Sequence, residues 1–337
     1  MCIRESSNIN IRFLQKRKIA YILSGGILAF SLISLSSQGL NQGIDFVGGR
    51  SYIIRFDQII SPSVIQSSLT SSIGTSEVKT FGEENQLKIT TKYKVDVEGL
   101  AVDNEIQKIL FDKLKSFLPE GLTYENFING AEDKQVGIMS SIKVGPTIAD
   151  DIKKNSFLAV IGSLIVVFLY ILFRFRKWQF SLGAVAAVFH DVLVVLGIFS
   201  ITYKIMPFNM EINQAFIAAI LTVIGYSLND TVVVFDRIRE YVREHTKWEF
   251  NHTVNAALNS TLSRTLNTSL TTLIVLLAIF IFGGESIRGF MFALIVGVIV
   301  GTYSSVFIAT PVMFDTQKGK AITQNNCLLY TSDAADE

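Results

Sequence analysis

The chain has 337 residues, of which 49% are hydrophobic and only 18% charged, with a mean hydropathy of +0.41. Soluble domains average about 25% charge, so an ordinary soluble globule is excluded, and the apolar content excludes a disordered chain. A net charge of +1 gives no overall attraction to nucleic acid, and the two cysteines, Cys2 and Cys327, sit at opposite ends, where they form neither a disulfide framework nor a spaced metal site.

Residues 1–18 end in a basic cluster, Arg12, Lys16, Arg17 and Lys18, which reads as a cytoplasmic N-terminus. The first apolar stretch, residues 19–40, matches the roughly 20 residues that cross a hydrocarbon core. It is too long for the core of a cleaved signal peptide and lacks a small-x-small exit. Residues 41–155 are polar and mixed in charge. Alternation predicts a strand over residues 50–56. Ser61-Pro62 opens a helix to about residue 73, with Pro in the first turn. Residues 77–81 and 86–93 read as strands joined by Gly82-Glu83-Glu84-Asn85. Residues 100–118 put Ile106, Ile109, Leu110, Leu114 and Leu118 on one helical face, ended by Pro119 and Gly121. Residues 136–144 are the last strand. This order predicts an α+β ferredoxin-like βαββαβ domain on the extracytoplasmic side; the plainer alternative is a soluble cap of no specific use.

Residues 156–316 hold five more apolar stretches: 157–173, 178–203, 212–235, 264–282 and 289–314. The fold class is therefore a membrane protein of six transmembrane α-helices plus one ferredoxin-like domain. Arg174, Arg176 and Lys177 lie in one connection, Arg237, Arg239, Arg243 and Lys247 in another, and Lys318 and Lys320 after the last span. The alternate connections hold Lys204 and Arg288, so both termini are assigned to the cytoplasm. Lys153 and Lys154 fall on the other side, at the end of a long loop where the rule is weak.

Ionisable residues within spans are costly and are default functional candidates. His190 and Asp191 sit in span three, Asp230 in the cytoplasmic half of span four, and Arg264 at the cytoplasmic start of span five. Spans four and five run in opposite directions, so Asp230 and Arg264 are expected at similar depth, where pairing offsets desolvation. Each has a structural alternative: Arg264 snorkelling to headgroups, Asp230 as a structural partner, His190 and Asp191 as a packing pair. Ser260, Thr261, Ser263, Thr265, Thr268, Ser269, Thr271 and Thr272 either line a hydrated path or bond back to helix carbonyls. Span six carries small residues at every fourth position, Gly289, Ala293, Gly297, Gly301, Ser305 and Ala309, a helix-packing seam. Gly48-Gly49 and Gly283-Gly284 lack the context of a phosphate loop, which leaves the membrane potential and proton gradient as the energy source. No cofactor and no enzymatic activity are expected.

Gly43-Ile44-Asp45-Phe46-Val47-Gly48-Gly49 resembles the G-[IV]-D-F-x-G-G motif of the SecF family. Residues 226–240, Tyr-Ser-Leu-Asn-Asp-Thr-Val-Val-Val-Phe-Asp-Arg-Ile-Arg-Glu, resemble that family's span-four signature closely. Val144-Gly145-Pro146-Thr147-Ile148, Phe189-His190-Asp191 and residues 263–269 fit as well, and the resemblance covers residues 15 to 316. It implies a partner of SecD, separate or fused, in the resistance-nodulation-division superfamily. It further implies assistance to the SecYEG translocon and its preprotein in the bacterial inner membrane, driven by the proton-motive force, with YajC as a further associate. The family's intramembrane Asp and Arg fall on Asp230 and Arg264, while another essential Asp belongs to the SecD half. Asp230 would then carry or gate the proton, with Arg264, Asp191 and His190 as relay partners. Gly43, Asp45, Gly48 and Gly49 would form a hinge below a moving domain, since glycine tolerates unusual backbone angles. A small-molecule efflux transporter of the same superfamily, or a structural subunit that moves no protons, are the rival functions.

Residues 317–337 form a C-terminal tail, and within it residues 327–337 have no place in this pattern. Residues 327–337 resemble the translation of a sequencing-library transposon adaptor, so the natural sequence is expected to stop near Asn326. Residues 1–10 are compatible with the start of a separate subunit or with a cut from a fused chain.

Overall fold

The computed structural model describes residues 11–317 except 75, 98, 131–135 and 207. The tail readings, Cys2 and Cys327 lie outside the described residues. The predicted strands and helices form a four-stranded antiparallel sheet in the order β2-β3-β1-β4: β1 (Gly49–Arg55), β2 (Ser76–Phe81), β3 (Glu83–Thr91) and β4 (Gly137–Val144). Ladder pairs such as Tyr52↔Ile89, Val78↔Ile89 and Ile54↔Ile138 put one apolar row on a single face. A helix over Pro62–Ile73 and another over Leu100–Leu114 cover that face, and Ile65, Leu69, Ile106, Leu110 and Leu114 close the core with Tyr52, Ile54, Leu87 and Ile89. This is the expected ferredoxin-like arrangement. A short helix, Tyr124–Ile128, capped by the Thr123 hydroxyl, was not anticipated; it seats Phe127 in the core.

Helices are labelled in chain order as α1 (Arg17–Ser37), α2 (Ile44–Val47), α3 (Pro62–Ile73), α4 (Leu100–Leu114), α5 (Tyr124–Ile128), α6 (Pro146–Phe175), α7 (Trp178–Thr202), α8 (Gln214–Glu244), α9 (Phe250–Phe282), α10 (Glu285–Ser304) and α11 (Thr310–Gln317). A π-helical turn, Ser305–Ala309, joins the last two into one span, so six helices are long and apolar enough to cross a membrane.

Two boundaries differ from expectation. The polar domain ends at β4, not at residue 155, because Pro146 opens α6 directly after Val144-Gly145 and the charged run Asp150 to Lys154 is helical. Helix α9 starts at Phe250, well before residue 264, and α8 runs on to Glu244. Charged and amide residues continue a helix as readily as apolar ones, so hydropathy marks where a span meets lipid and not where its helix ends.

Helices α7, α8 and α10 form the centre of the bundle, while α1, α6 and α9 lie outside. The outer helices expose large apolar side chains, among them Ile22 and Phe30 on α1, Phe157 and Phe173 on α6, and Leu270 and Ile274 on α9. Such a surface is costly in water and natural in lipid. The predicted seam is real. A Cβ at Gly297 would overlap Val223, and one at Gly301 would lie 3.1 Å from the Ser227 Cβ, so α10 rests almost backbone to backbone on α8. The basic connections gather at one end of the bundle, where Arg17 pairs with Asp315 at 3.1 Å and Arg174 with Asp236 at 2.9 Å.

Candidate membrane-embedded site

The close approach of α8 and α10 brings two carboxylates into one layer of hydroxyls. Asp191 on α7 is fully buried. Its Oδ2 accepts hydrogen bonds from Ser227 on α8 and Ser304 on α10, both at 2.6 Å, and its Oδ1 lies 3.0 Å from the His190 Nδ1. One side chain thus ties three helices together at the point where α10 gives way to the π-helical turn. Such turns are rare and cluster at functional sites. The His190 Nε2, on the far side of the ring, is buried and has no partner.

Asp230 stands one turn beyond Ser227 on α8 and is also buried. Its surroundings are poorer: Oδ2 accepts one long bond, 3.4 Å, from the Ser269 hydroxyl of α9, which lies 2.6 Å from the Thr302 hydroxyl of α10. The expected ion pair with Arg264 does not form. Arg264 is exposed on α9, and no hydrogen bond or ion pair joins it to Asp230. The helix register explains the gap. Tyr226 reaches Thr272, Ser269 reaches Asp230, and Arg237 reaches Ser260. These rungs put Arg264 level with Val234, one turn or roughly 6 Å along the axis from Asp230. That is within the reach of an arginine side chain after a rotamer change.

Most of the hydroxyls around Arg264 take the second of the two predicted roles. Ser260, Thr261, Thr268, Thr271 and Thr272 donate to carbonyls three or four residues earlier in α9. Ser269 is the one that crosses to a carboxylate. Thr231 and Thr265, next in sequence to Asp230 and Arg264, are buried with unpartnered hydroxyls. Ser227, Thr302 and Ser304 were not anticipated as site residues. The available signal was a cluster of hydroxyls, Thr302 to Ser305, within an apolar span, of which only Ser305 entered the packing seam.

The glycine motif takes its place at the other end of α8. Gly48 and Gly49 have φ of +70° and +136°, a region open to glycine. A Cβ on Gly49 would come within 2.7 Å of the Thr91 carbonyl oxygen. They turn the chain from α2 straight into the central strand β1. The Asp45 Oδ2 accepts the Gln214 backbone N–H at 3.0 Å, in the first turn of α8, where an acceptor satisfies an orphan donor and a negative charge opposes the helix dipole. Gly43 donates to the Ile212 carbonyl at 2.9 Å and Ile212 donates to the Asn41 carbonyl at 2.7 Å, a short parallel bridge. The motif is bonded to the first turn of α8 and to Ile212 just before it. Among the described residues no group of three or more metal-ligating side chains occurs.

Six spans, a ferredoxin-like domain and carboxylates buried among hydroxyls inside the bundle define a multi-pass membrane protein of the transport class. Residues 124–319 match the family model described as protein export membrane protein SecD/SecF, C-terminal, and residues 33–58 match the SecD/SecF GG motif. The protein translocase subunit SecF of Rhodothermus marinus is 46% identical over 314 residues, covering 93% of this chain and 95% of that one. Its counterpart in Vibrio alginolyticus is 36% identical, covering 89% and 88%. The crystal structure of SecDF from Thermus thermophilus, a translocon-associated membrane protein, superposes with a TM-score of 0.76 at 28% identity. The match covers 92% of this chain but only 39% of the SecDF chain. The chain belongs to the SecF family and is thereby a Sec protein-translocation subunit that works with SecD; a small-molecule efflux role is not favoured.

Proposed function

We propose that this subunit uses the proton gradient to assist protein export, with Asp230 as the group that takes up and releases the proton. The observation that carries this reading is the contrast between the two buried carboxylates. Asp191 is bonded on both oxygens, twice at 2.6 Å on Oδ2, and ties its own helix to two others. Asp230 has one long bond and an unpaired arginine one turn away. A loosely held carboxylate can exchange a proton without dismantling the bundle. Arg264 swings to Asp230 when the carboxylate is charged and leaves when it is neutral, which makes two states of the α8–α9 contact. Asp191 and His190 stand beside Asp230 in the same layer and extend the relay toward Ser227 and Ser304. A charge that crosses 100 mV is worth about 2.3 kcal/mol, enough to bias such a two-state contact by more than tenfold. No bound cofactor is needed.

In this reading the protein lies in the bacterial inner membrane with both termini in the cytoplasm and residues 41–155, the sheet domain and the charged first turns of α6, outside. The basic end of the bundle supports that orientation. SecD, SecYEG, the translocating preprotein and YajC are the proposed partners. The test is secretion into membrane vesicles with and without a proton gradient, using Asp230→Asn and Arg264→Lys. Both variants are expected to lose the gradient-dependent part of secretion and keep the rest. Wild-type gradient dependence in Asp230→Asn would refute the proton role and leave a structural subunit.

A further inference from the structure

We infer that Asp45 is the positioning residue that couples α8 to the sheet domain, so that a displacement of α8 at the Asp230 level tilts the domain. The inference rests on the proton reading above and adds the mechanical link that it lacks. Helix α8 is one unbroken helix of 31 residues. Asp230 lies 16 residues after Gln214 in it, roughly 24 Å down a stiff rod. At the outer end of that rod, Asp45 accepts the Gln214 N–H, and the Asn41–Gly43 bridge clasps Ile212. A buried ion pair between Lys88 of β3 and Glu211, 2.5 Å, ties the sheet to the same spot, and Asn41 donates to Glu77 of β2 at 2.9 Å.

The other mounts of the domain make α8 a lever. Strand β4 runs into α6 across Gly145 alone, so sheet and α6 move as one piece. Helix α6 is mostly exposed along its length; Ala149, Ile171 and Phe175 are its buried residues. Helix α2 is the wedge between the two mounts: Ile44 packs on Val144 and Ala149 at the α6 side, while Phe46 enters the cluster of Phe199, Met210, Ile212 and Phe216 at the α8 side. Axial movement of α8 against α6 is thus delivered to the base of β1 through one short helix. The charge on Asp45 strengthens the hold by opposing the α8 dipole.

The test uses the full chain with its SecD partner in vesicles, Cys2 and Cys327 replaced, and spin labels at Glu84 in the sheet domain and Ile205 beside α7. Imposing a proton gradient is expected to shift the Glu84–Ile205 distance distribution in the wild type. Asp45→Ala is expected to abolish the shift, and Asp45→Asn, which keeps an acceptor oxygen, to retain most of it. Carbodiimide labelling of Asp230 is expected to be equal in all three, since the proton site lies far below. A gradient-driven shift of wild-type size in Asp45→Ala would overturn the coupling role. Equal loss of the shift in Asp45→Ala and Asp45→Asn together with altered Asp230 labelling would assign Asp45 a merely structural role and overturn it too. An undiminished shift in Asp230→Asn would instead refute the proton reading itself.

Discussion

Replacing Asp191 by alanine tests whether its hydroxyl-bound carboxylate holds the bundle centre together. The substitution removes the acceptor for Ser227 and Ser304, each bonded at 2.6 Å, and the partner of the His190 Nδ1. Bonds of that length are in the charge-assisted range, where each contributes about 1.5–3 kcal/mol. The average for interhelical bonds in membranes is lower, about 0.6 kcal/mol, because the separated helices find other partners. At Asp191 the larger figure applies. The residue is fully buried, both hydroxyls come from different helices, and the truncation leaves them facing a void. Two such bonds amount to about 3–6 kcal/mol. At about 2 °C per kcal/mol for a chain of this length, the apparent melting temperature falls by about 6–12 °C. Asp191→Asn keeps an oxygen for both serines and loses only the charge assistance, so it is expected to fall about half as far. Thermal unfolding of the purified protein in nanodiscs, read by loss of helical circular dichroism, measures both. An Asp191→Ala protein that melts within 2 °C of wild type, or Asp191→Asn below Asp191→Ala, would refute the reasoning.

Three further predictions concern separate parts of the molecule. Gly297→Leu forces α10 off Val223 and is expected to cost about 1–3 kcal/mol by overpacking, whereas Gly162→Leu, where nothing lies within 4 Å, is expected to leave the same melting curve unchanged. Arg50→Met strips Asp103 of its ion pair and the carbonyls of Tyr93, Lys94 and Val97 of their donor; since Asp103 keeps Lys143 at 3.7 Å, the loss is set at the low end of a broken buried pair, about 3 kcal/mol, seen as faster proteolysis of the 92–97 loop. Hydrogen bonds from Lys94 and Tyr93 hold the Glu105 carboxyl below the usual carboxylate range, and the bond to Glu105 raises the Lys94 amine. The pair therefore steadies the loop at neutral pH, loses its effect as pH falls through the lowered Glu105 value, and loses it again as pH rises through the raised Lys94 value. Hydrogen exchange of residues 92–97, corrected for intrinsic rates, is expected to show Glu105→Gln less protected than wild type at pH 7, with the difference shrinking as pH falls through the lowered Glu105 value.

The parts of the fold that follow a period were legible. Alternation in β1 and a helical face in α4 located the sheet domain to within a few residues, and runs of apolar residues located all six spans. Residues that act through a distant partner were not. Asp45 reads as a glycine-flanked acid in a hinge, and its partner Gln214 is 169 positions away. Nothing in the alternation of β1 singles out Arg50, which is buried beneath the loop it holds. Asp230 and Arg264 were recognised as candidates because charge in a span is costly. Their offset by one turn was beyond the sequence, because it depends on the α8–α9 register.

That offset has a consequence for how the two carboxylates divide their work. Ser227 and Asp230 are three residues apart on α8, while Thr302 and Ser304 are two apart on α10. Gly297 rests on Val223 and Gly301 on Ser227, so the two helices run parallel with Ser304 level with Asp230, and the two hydrogen-bonded sets lie side by side in one layer. If α8 slid along α10 by one turn, Asp191 would lose Ser227, whereas Asp230 would lose nothing but a 3.4 Å contact. The cost of sliding is concentrated at Asp191 and the freedom to change charge at Asp230. A bundle built this way resists motion with one carboxylate and triggers it with the other. The glycine stripe brings the two helices close enough for these bonds, with Val223 of α8 seated at Gly297 and Ser227 at Gly301.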